Sequence, residues 1–164
     1  MSAETITKHG ILIIDPQPNM ATLVGAMLRS LGRRDIRDAS DASQAMMELN
    51  RRAFEVIIID DNVRNPDAVE LVRRIRANKE CQNRFSPIIM MAAAPGAARI
   101  AAARDAGVTE FLRKPFAANH LKARLDTIEA SPRGFIEADS YNGPDRRRRK
   151  RDIGGTERRL RENG

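Results

Sequence analysis

Five short runs of β-forming apolar residues alternate with five longer amphipathic stretches over the first 132 residues of the chain. The apolar runs predict strands at Gly10–Asp15, Ile36–Ala39, Val56–Asp60, Pro87–Met91 and Thr109–Leu112. The amphipathic stretches predict helices at Asn19–Leu31, Ala42–Arg51, Pro66–Asn78, Gly96–Ala106 and Ala117–Ala130. Such alternation is typical of βα units around a parallel sheet. The pattern therefore predicts an α/β fold with a doubly wound, five-stranded parallel sheet.

The third helical stretch carries both valines and arginines at helical spacing. Val69 and Val72 fall on the apolar side of this pattern, and Arg73 and Arg76 give it basic character. The spacing predicts a helix with one apolar face and one basic face.

The chain divides in two by charge. Residues 1–132 hold 19 Lys and Arg against 16 Asp and Glu, whereas residues 133–164 hold 10 against 6. We therefore expect one compact domain over residues 1–132 and a basic tail over residues 133–164. Cys81 is the single cysteine, and the longest aliphatic run, Ile11 to Ile14, is too short for a membrane span of about 20 residues. These features predict a soluble cytoplasmic protein with a reduced thiol.

The ends of the predicted strands carry polar residues. Asp15 follows the first strand, Asp60 and Asp61 end the third, and Lys114 follows the fifth. Functional loops of a doubly wound sheet lie at the carboxyl ends of its strands. The sequence therefore predicts an acidic cleft that is closed by a lysine.

Three segments at these strand ends resemble the signatures of the CheY-like response regulator receiver domain, which has a flavodoxin-like fold. They are Leu12-Ile13-Ile14-Asp15, Val56-Ile57-Ile58-Ile59-Asp60 and Arg113-Lys114-Pro115-Phe116. The resemblance implies that Asp60 is the candidate phosphoacceptor and that Lys114 contacts the phosphoryl oxygens. It also implies a Mg²⁺ site that includes Asp15 and Asp60. A carboxylate nucleophile beside a metal ion and an ammonium is suited to phosphoryl transfer.

The chain departs from the receiver pattern at several positions. Pro16 stands where a second acidic residue would help to hold Mg²⁺, so we expect weak or absent Mg²⁺ binding. Ala92 stands where the switch hydroxyl belongs, and Phe111 takes the place of the switch aromatic residue. Asp61 directly follows Asp60, so its side chain should point away from the pocket. These departures favour a degenerate receiver that serves as a scaffold; phosphorylation at Asp60 is the alternative.

An arginine-rich run dominates the tail. It reads Gly143-Pro144-Asp145-Arg146-Arg147-Arg148-Arg149-Lys150-Arg151-Asp152-Ile153-Gly154-Gly155. Six consecutive cations repel one another, so we expect disorder until an anion neutralises them. Arg146 to Arg151 have four alternative interpretations. The segment is a solvated extension, or it binds nucleic acid without specificity, an anionic membrane surface or a specific phosphorylated nucleotide.

The residue types favour the nucleotide. Five of the six cations are arginine, whose planar guanidinium can bind guanine through two hydrogen bonds and stack on a purine. Asp145 and Asp152 would repel a phosphate backbone, whereas a carboxylate can accept hydrogen bonds from guanine. Tyr141 offers a ring for stacking, and Arg158 and Arg159 could return to the ligand from the other side.

Together with the receiver pattern, this tail resembles that of the Cle family, CheY-like effectors of cyclic di-GMP. The resemblance implies a monomeric, non-enzymatic effector that binds cyclic di-GMP, often as a stacked pair, and docks on the flagellar motor switch. No membrane partner is expected, and a receiver with a nucleic-acid-binding tail is an alternative. The residues implied in cyclic di-GMP binding are Tyr141, Pro144, Asp145, Arg146, Arg147, Arg148, Arg149, Arg151, Asp152, Arg158 and Arg159.

Many receivers dock their partners on the face formed by the fourth helix, fifth strand and fifth helix. In this chain that face comprises Ala97–Ala106, Thr109–Arg113 and Asn119–Arg124. Its alanine-rich helix would allow close approach of a partner helix, although alanine is also the best helix former. Docking at this face is therefore an expectation that rests on the resemblance.

Overall fold

A computed structural model describes residues 10–130 of the chain, together with the backbone of residues 135–138 and 141–144. Strands and helices alternate through residues 10–130, as the sequence predicts. The strands are β1 (Gly10–Ile14), β2 (Ile36–Ala39), β3 (Phe54–Asp60), β4 (Ile88–Ala93) and β5 (Glu110–Lys114). The helices are α1 (Pro18–Ser30), α2 (Ala42–Arg51), α3 (Ala68–Ala77), α4 (Ala97–Ala106) and α5 (Ala118–Ala130).

The five strands form one parallel sheet in the order β2-β1-β3-β4-β5. The strand order reverses beside β1, where β2 lies on one side and β3 on the other. This arrangement confirms the predicted doubly wound, flavodoxin-like fold. Because the strands are parallel, their carboxyl ends lie at one edge, and the polar residues at the ends of β1, β3 and β5 meet there.

Both faces of the sheet are covered by helices. Leu12 and Ile14 of β1 pack with buried residues of α2 and α3, whereas Ile11 and Ile13 pack with buried residues of α1 and α5. Successive strand side chains point to opposite faces, so a central strand covered on both faces must be apolar at every position. This explains the unbroken aliphatic runs in β1 and β3.

The sequence prediction for Arg76 in α3 is wrong. Its side chain is only 1% exposed, so it lies on the buried side of the helix. The guanidinium donates hydrogen bonds to the backbone oxygens of Gly107 (2.8 and 3.1 Å), Arg84 (2.6 Å) and Ser86 (2.7 Å). Arg76 is buried because these carbonyls satisfy its donors, and it thereby joins α3 to the segments that precede β4 and β5.

A short antiparallel hairpin follows α5, where the sequence analysis identified no strand. It consists of β6 (Phe135–Ala138) and β7 (Tyr141–Pro144), and the backbone of β7 lies against α3 and α4. Aromatic and β-branched residues in the two segments favour an extended backbone. The tail therefore reaches the α3–α4 side of the domain at β7.

None of the helices within the described ranges combines the length and the apolar character that a membrane crossing needs.

Candidate functional site

Three charged side chains converge at the carboxyl edge of the sheet. Asp60 is the last residue of β3 and is 1% exposed, and Asp15 directly follows β1 and is 2% exposed. Lys114 ends β5 and reaches across the end of β4 to form an ion pair with Oδ1 of Asp60. The structure thus brings together the three residues that the sequence predicts for the receiver pocket.

The Asp60 carboxylate is held from two sides. Its Oδ2 accepts a hydrogen bond from the backbone N–H of Asn62 at 2.8 Å, while Oδ1 faces the Lys114 ammonium. Oδ1 thus has an ion-pair partner but no hydrogen-bond partner among the described residues, and only Oδ2 accepts a hydrogen bond.

Asp15 is less well satisfied than Asp60. Its Oδ1 accepts a hydrogen bond from the backbone N–H of Gln17 at 2.8 Å, but its buried Oδ2 has no hydrogen-bond partner among the described residues. Burial raises the pKa of Asp15, and the Asp60 charge adds to this effect, whereas the Gln17 N–H and Lys114 oppose it. A buried carboxylate with one free oxygen destabilises the folded domain when it is ionised.

We expect Asp15→Asn to raise the free energy of unfolding at pH 7 by about 1 kcal/mol, or a few degrees in Tm. The amide can keep the Gln17 hydrogen bond while removing the buried charge. An aspartate with a raised folded-state pKa lowers stability above that pKa, and this loss disappears as pH falls toward about 3.9. The gain should therefore shrink as thermal unfolding is followed from pH 7 to pH 4. An equal gain from the exposed Asp38→Asn would contradict this explanation.

The donor set at this edge does not fit a complete Mg²⁺ site. Mg²⁺ requires near-octahedral oxygen coordination, and Pro16 contributes no side-chain oxygen next to Asp15. In the described part of the chain, no group of three or more His, Cys, Asp or Glu side chains is placed to hold a metal ion. The free Asp15 oxygen and Asp60 leave two carboxylates, one of which already pairs with Lys114.

The switch positions also lack hydrogen-bonding side chains. Ala92 lies in β4 beside Arg113 and is buried, so no hydroxyl is available at this position to contact a group on Asp60. Phe111 in β5 is partly buried and packs against the core on the α2–α4 side of the sheet. A phenyl ring has no hydroxyl, so Phe111 cannot change hydrogen-bond partners between a buried and an exposed position.

Arg99 near the start of α4 is a site residue that the sequence analysis missed. Its guanidinium binds Asp61, which directly follows Asp60, and Asp67, which caps the start of α3. The Asp61 side chain thus contacts α4 rather than Asp15, as expected from its position next to Asp60. No local spacing in the sequence could have identified Arg99, because it is 38 residues from Asp61.

The expected docking face contains a hydrogen bond between α5 and β5. Nε of Arg124 donates a hydrogen bond to the backbone oxygen of Phe111 at 2.6 Å, which fixes this arginine against β5. Ala97, Ala98 and Ala101 of α4 are exposed. Docking at this face stays a prediction.

Two of the predicted ligand residues of the tail lie within the part of the chain that the structure describes. Tyr141 and Pro144 have a described backbone in β7. The others lie outside the described residues: Asp145, Arg146, Arg147, Arg148, Arg149, Arg151, Asp152, Arg158 and Arg159.

Known proteins match the part of the chain that carries this site. The family model for the response regulator receiver domain matches residues 11–126. Chemotaxis protein CheY-3 of Vibrio cholerae is 33% identical over 118 residues, which cover 72% of this chain and 89% of that protein. Chemotaxis protein CheY of Pseudomonas aeruginosa is 30% identical over 118 residues, with 72% and 94% covered.

Solved structures give the same result. The receiver domain of a sensor histidine kinase from Pseudomonas aeruginosa, with a magnesium ion coordinated in its active-site cleft, superposes with a TM-score of 0.67 at 30% identity. The match covers 76% of this chain and all of that domain. The family match ends at residue 126, so the basic tail lies beyond it.

Proposed function

The chain belongs to the response regulator receiver family, and we propose that within this family it is an effector controlled by cyclic di-GMP rather than by phosphorylation. The observation that carries the proposal is the state of the receiver pocket. Asp60 is paired with Lys114, while Pro16 and Ala92 remove a metal-binding carboxylate and a switch hydroxyl. A pocket in this state keeps the receiver scaffold but lacks groups that support phosphoryl transfer and the response to it.

The remaining charges of the pocket have a structural explanation. Lys114 offsets part of the negative charge of Asp15 and Asp60 in a buried position. Removing one partner of a buried ion pair leaves an uncompensated charge, which is strongly destabilising. Asp60 and Lys114 therefore stabilise each other even without a phosphoryl group. We propose that the domain is not an enzyme.

The residue composition of the tail supports a nucleotide ligand. Its arginines offer paired donors to guanine and phosphate, and Asp152 offers an acceptor to guanine N–H groups. Cyclic di-GMP contains two guanines and two phosphates, so one compact ligand matches both kinds of contact. Ordering such a segment on binding costs about 2–5 kcal/mol of the gross interaction energy.

The position of β7 links ligand binding by the tail to partner binding by the domain. Because β7 lies against α3 and α4, the strand that precedes the arginines lies beside α4, which belongs to the expected docking face. Ordering of the tail there can cover or extend this face. The curated relatives are chemotaxis proteins, so we propose that the partner is the flagellar motor switch and that binding modulates motility and surface attachment.

Titration calorimetry tests the ligand. We expect cyclic di-GMP to bind the full chain and not the chain cut after Pro132, which retains the whole family match. Undiminished binding to the shortened chain, or no binding to the full chain, would contradict the proposal. Random oligonucleotides serve as the control; comparable affinity for them with a steep salt dependence would indicate a nucleic-acid-binding tail.

A phosphorylation-controlled, single-domain response regulator is the second candidate function. The convergence of Asp15, Asp60 and Lys114 at one strand edge favours it. Incubation with acetyl phosphate and Mg²⁺, followed by mass spectrometry, distinguishes the two functions. Rapid labelling of the native chain that is lost in Asp60→Asn would favour control by phosphorylation over control by cyclic di-GMP. The double variant Pro16→Asp, Ala92→Thr supplies a control in which the missing carboxylate and hydroxyl are restored.

A further inference from the structure

Arg99 forms the most extensive charged contact between two helices on the α2–α4 side of the described domain. Its Nη1 and Nη2 each bind one carboxylate oxygen of Asp67 at 2.9 Å, which is a bidentate pair. Its Nε binds Oδ1 of Asp61 at 2.6 Å, and Nη2 also contacts the Asp61 backbone oxygen at 3.3 Å. We name the contacts of Arg99 with Asp61 and Asp67 the Arg99 bridge.

The Arg99 bridge differs from an ordinary surface ion pair. An isolated exposed pair contributes little, whereas a bidentate arginine within a network of charges is better ordered. Here one guanidinium serves two carboxylates and a carbonyl, and its side chain is 30% exposed. Hydrogen bonds from Arg99 lower the pKa of Asp67 and raise the pKa of Arg99 itself, so the Arg99–Asp67 pair stays charged at neutral pH.

The bridge ends one residue from the Asp60 carboxylate. Asp61 is held by Arg99, and its own N–H donates to the backbone oxygen of Met91 in β4. The next residue, Asn62, donates its N–H to Oδ2 of Asp60 at 2.8 Å. A displacement of α4 that moves Asp61 must therefore also act on the hydrogen bond of Asp60.

We propose that Arg99 is a positioning residue that couples the position of α4 to the segment after Asp60. In this chain Ala92 supplies no hydroxyl between β4 and the Asp60 pocket, whereas the Arg99 bridge joins α4 to Asp61, the residue next to Asp60. β7 lies against both helices that the bridge joins. A change at the exposed side of α4 thus reaches Asp60 through Arg99. This inference requires no ligand in the tail and holds whether or not cyclic di-GMP binds.

Amide hydrogen exchange in the full chain tests the coupling. Ala101→Gly loosens α4 from its exposed side, because glycine in a helix costs about 1 kcal/mol relative to alanine, or about 5-fold in local opening. The reporters are the amides of Val63 and Ala68, which bond to the Asp60 and Val63 oxygens in the segment after Asp60. We expect Ala101→Gly to speed their exchange in the native background and to leave it unchanged in Arg99→Gln.

Three controls separate coupling from general loss of stability. Ala123→Gly makes the same change at an exposed position of α5 and should not affect the reporters. The Ile57 amide, which bonds to Pro87 in the sheet, reports global opening. Asp61→Ala removes the carboxylate that joins Arg99 to the segment after Asp60, and it should remove the coupling as Arg99→Gln does. An equal response of Val63 and Ala68 with and without Arg99, or no response in the native background, overturns the proposal.

Discussion

Replacing Arg76 with methionine is expected to lower the free energy of unfolding by about 3 kcal/mol or more. Methionine has a similar length and fills most of the space, but it leaves the carbonyls of Arg84, Ser86 and Gly107 without the donors that now satisfy them. Each unsatisfied buried acceptor costs about 1–3 kcal/mol, and partial access of water reduces the sum. Urea denaturation of the full chain measures this difference.

Arg73→Met in the same helix is the matched control. Arg73 is exposed and pairs with Glu70 across one helical turn, so we expect the free energy of unfolding to be nearly unchanged. Similar small effects of the two substitutions would show that the carbonyls around Arg76 find other donors.

Replacing five tail arginines with lysine is expected to reduce the affinity for cyclic di-GMP by about 100-fold or more, although the net charge is unchanged. The variant changes Arg146, Arg147, Arg148, Arg149 and Arg151. Lysine retains attraction to phosphate but cannot form the planar, two-point contact with guanine. Each lost bidentate contact is worth about 1–3 kcal/mol, so two such contacts account for the expected change. Titration calorimetry at fixed salt measures it.

The control carries five arginine-to-lysine changes on the exposed surface of the receiver. It alters Arg37, Arg51, Arg73, Arg104 and Arg113 and should bind cyclic di-GMP as the native chain does. Retained affinity in the lysine tail would mean that charge alone governs binding, which would favour a non-specific polyanion site. Within the tail, Arg148→Ala and Asp152→Ala should each cost about 1–3 kcal/mol if their side chains contact guanine.

Most of the receiver fold could be predicted because its signals are local. The apolar runs of β1 and β3 are buried on both sheet faces, and the predicted boundaries of α2 and α4 agree with the structure to within one residue. The convergence of Asp15, Asp60 and Lys114 also followed from sequence, since the carboxyl ends of parallel strands share one edge. Side-chain periodicity and strand direction are sufficient for these predictions.

The direct pairing of Lys114 with Asp60 could not be predicted in the same way. The sequence places both residues at the same edge, but whether the ammonium reaches the carboxylate depends on how β5 is aligned with β4 and β4 with β3. The free oxygen of Asp15 likewise depends on which backbone N–H groups the folded loop presents.

The sequence alone was enough to establish the sheet, its covering helices and the identity of the pocket residues, because these depend on short-range periodicity. Only the tertiary structure assigned Arg76 to the interior and Arg99 to the segment after Asp60. Both arginines look like surface cations in a helical pattern. Their partners lie 31 and 38 residues away, at Gly107 and Asp61, and a charge can be buried or anchored only where such distant acceptors are brought to it by the fold.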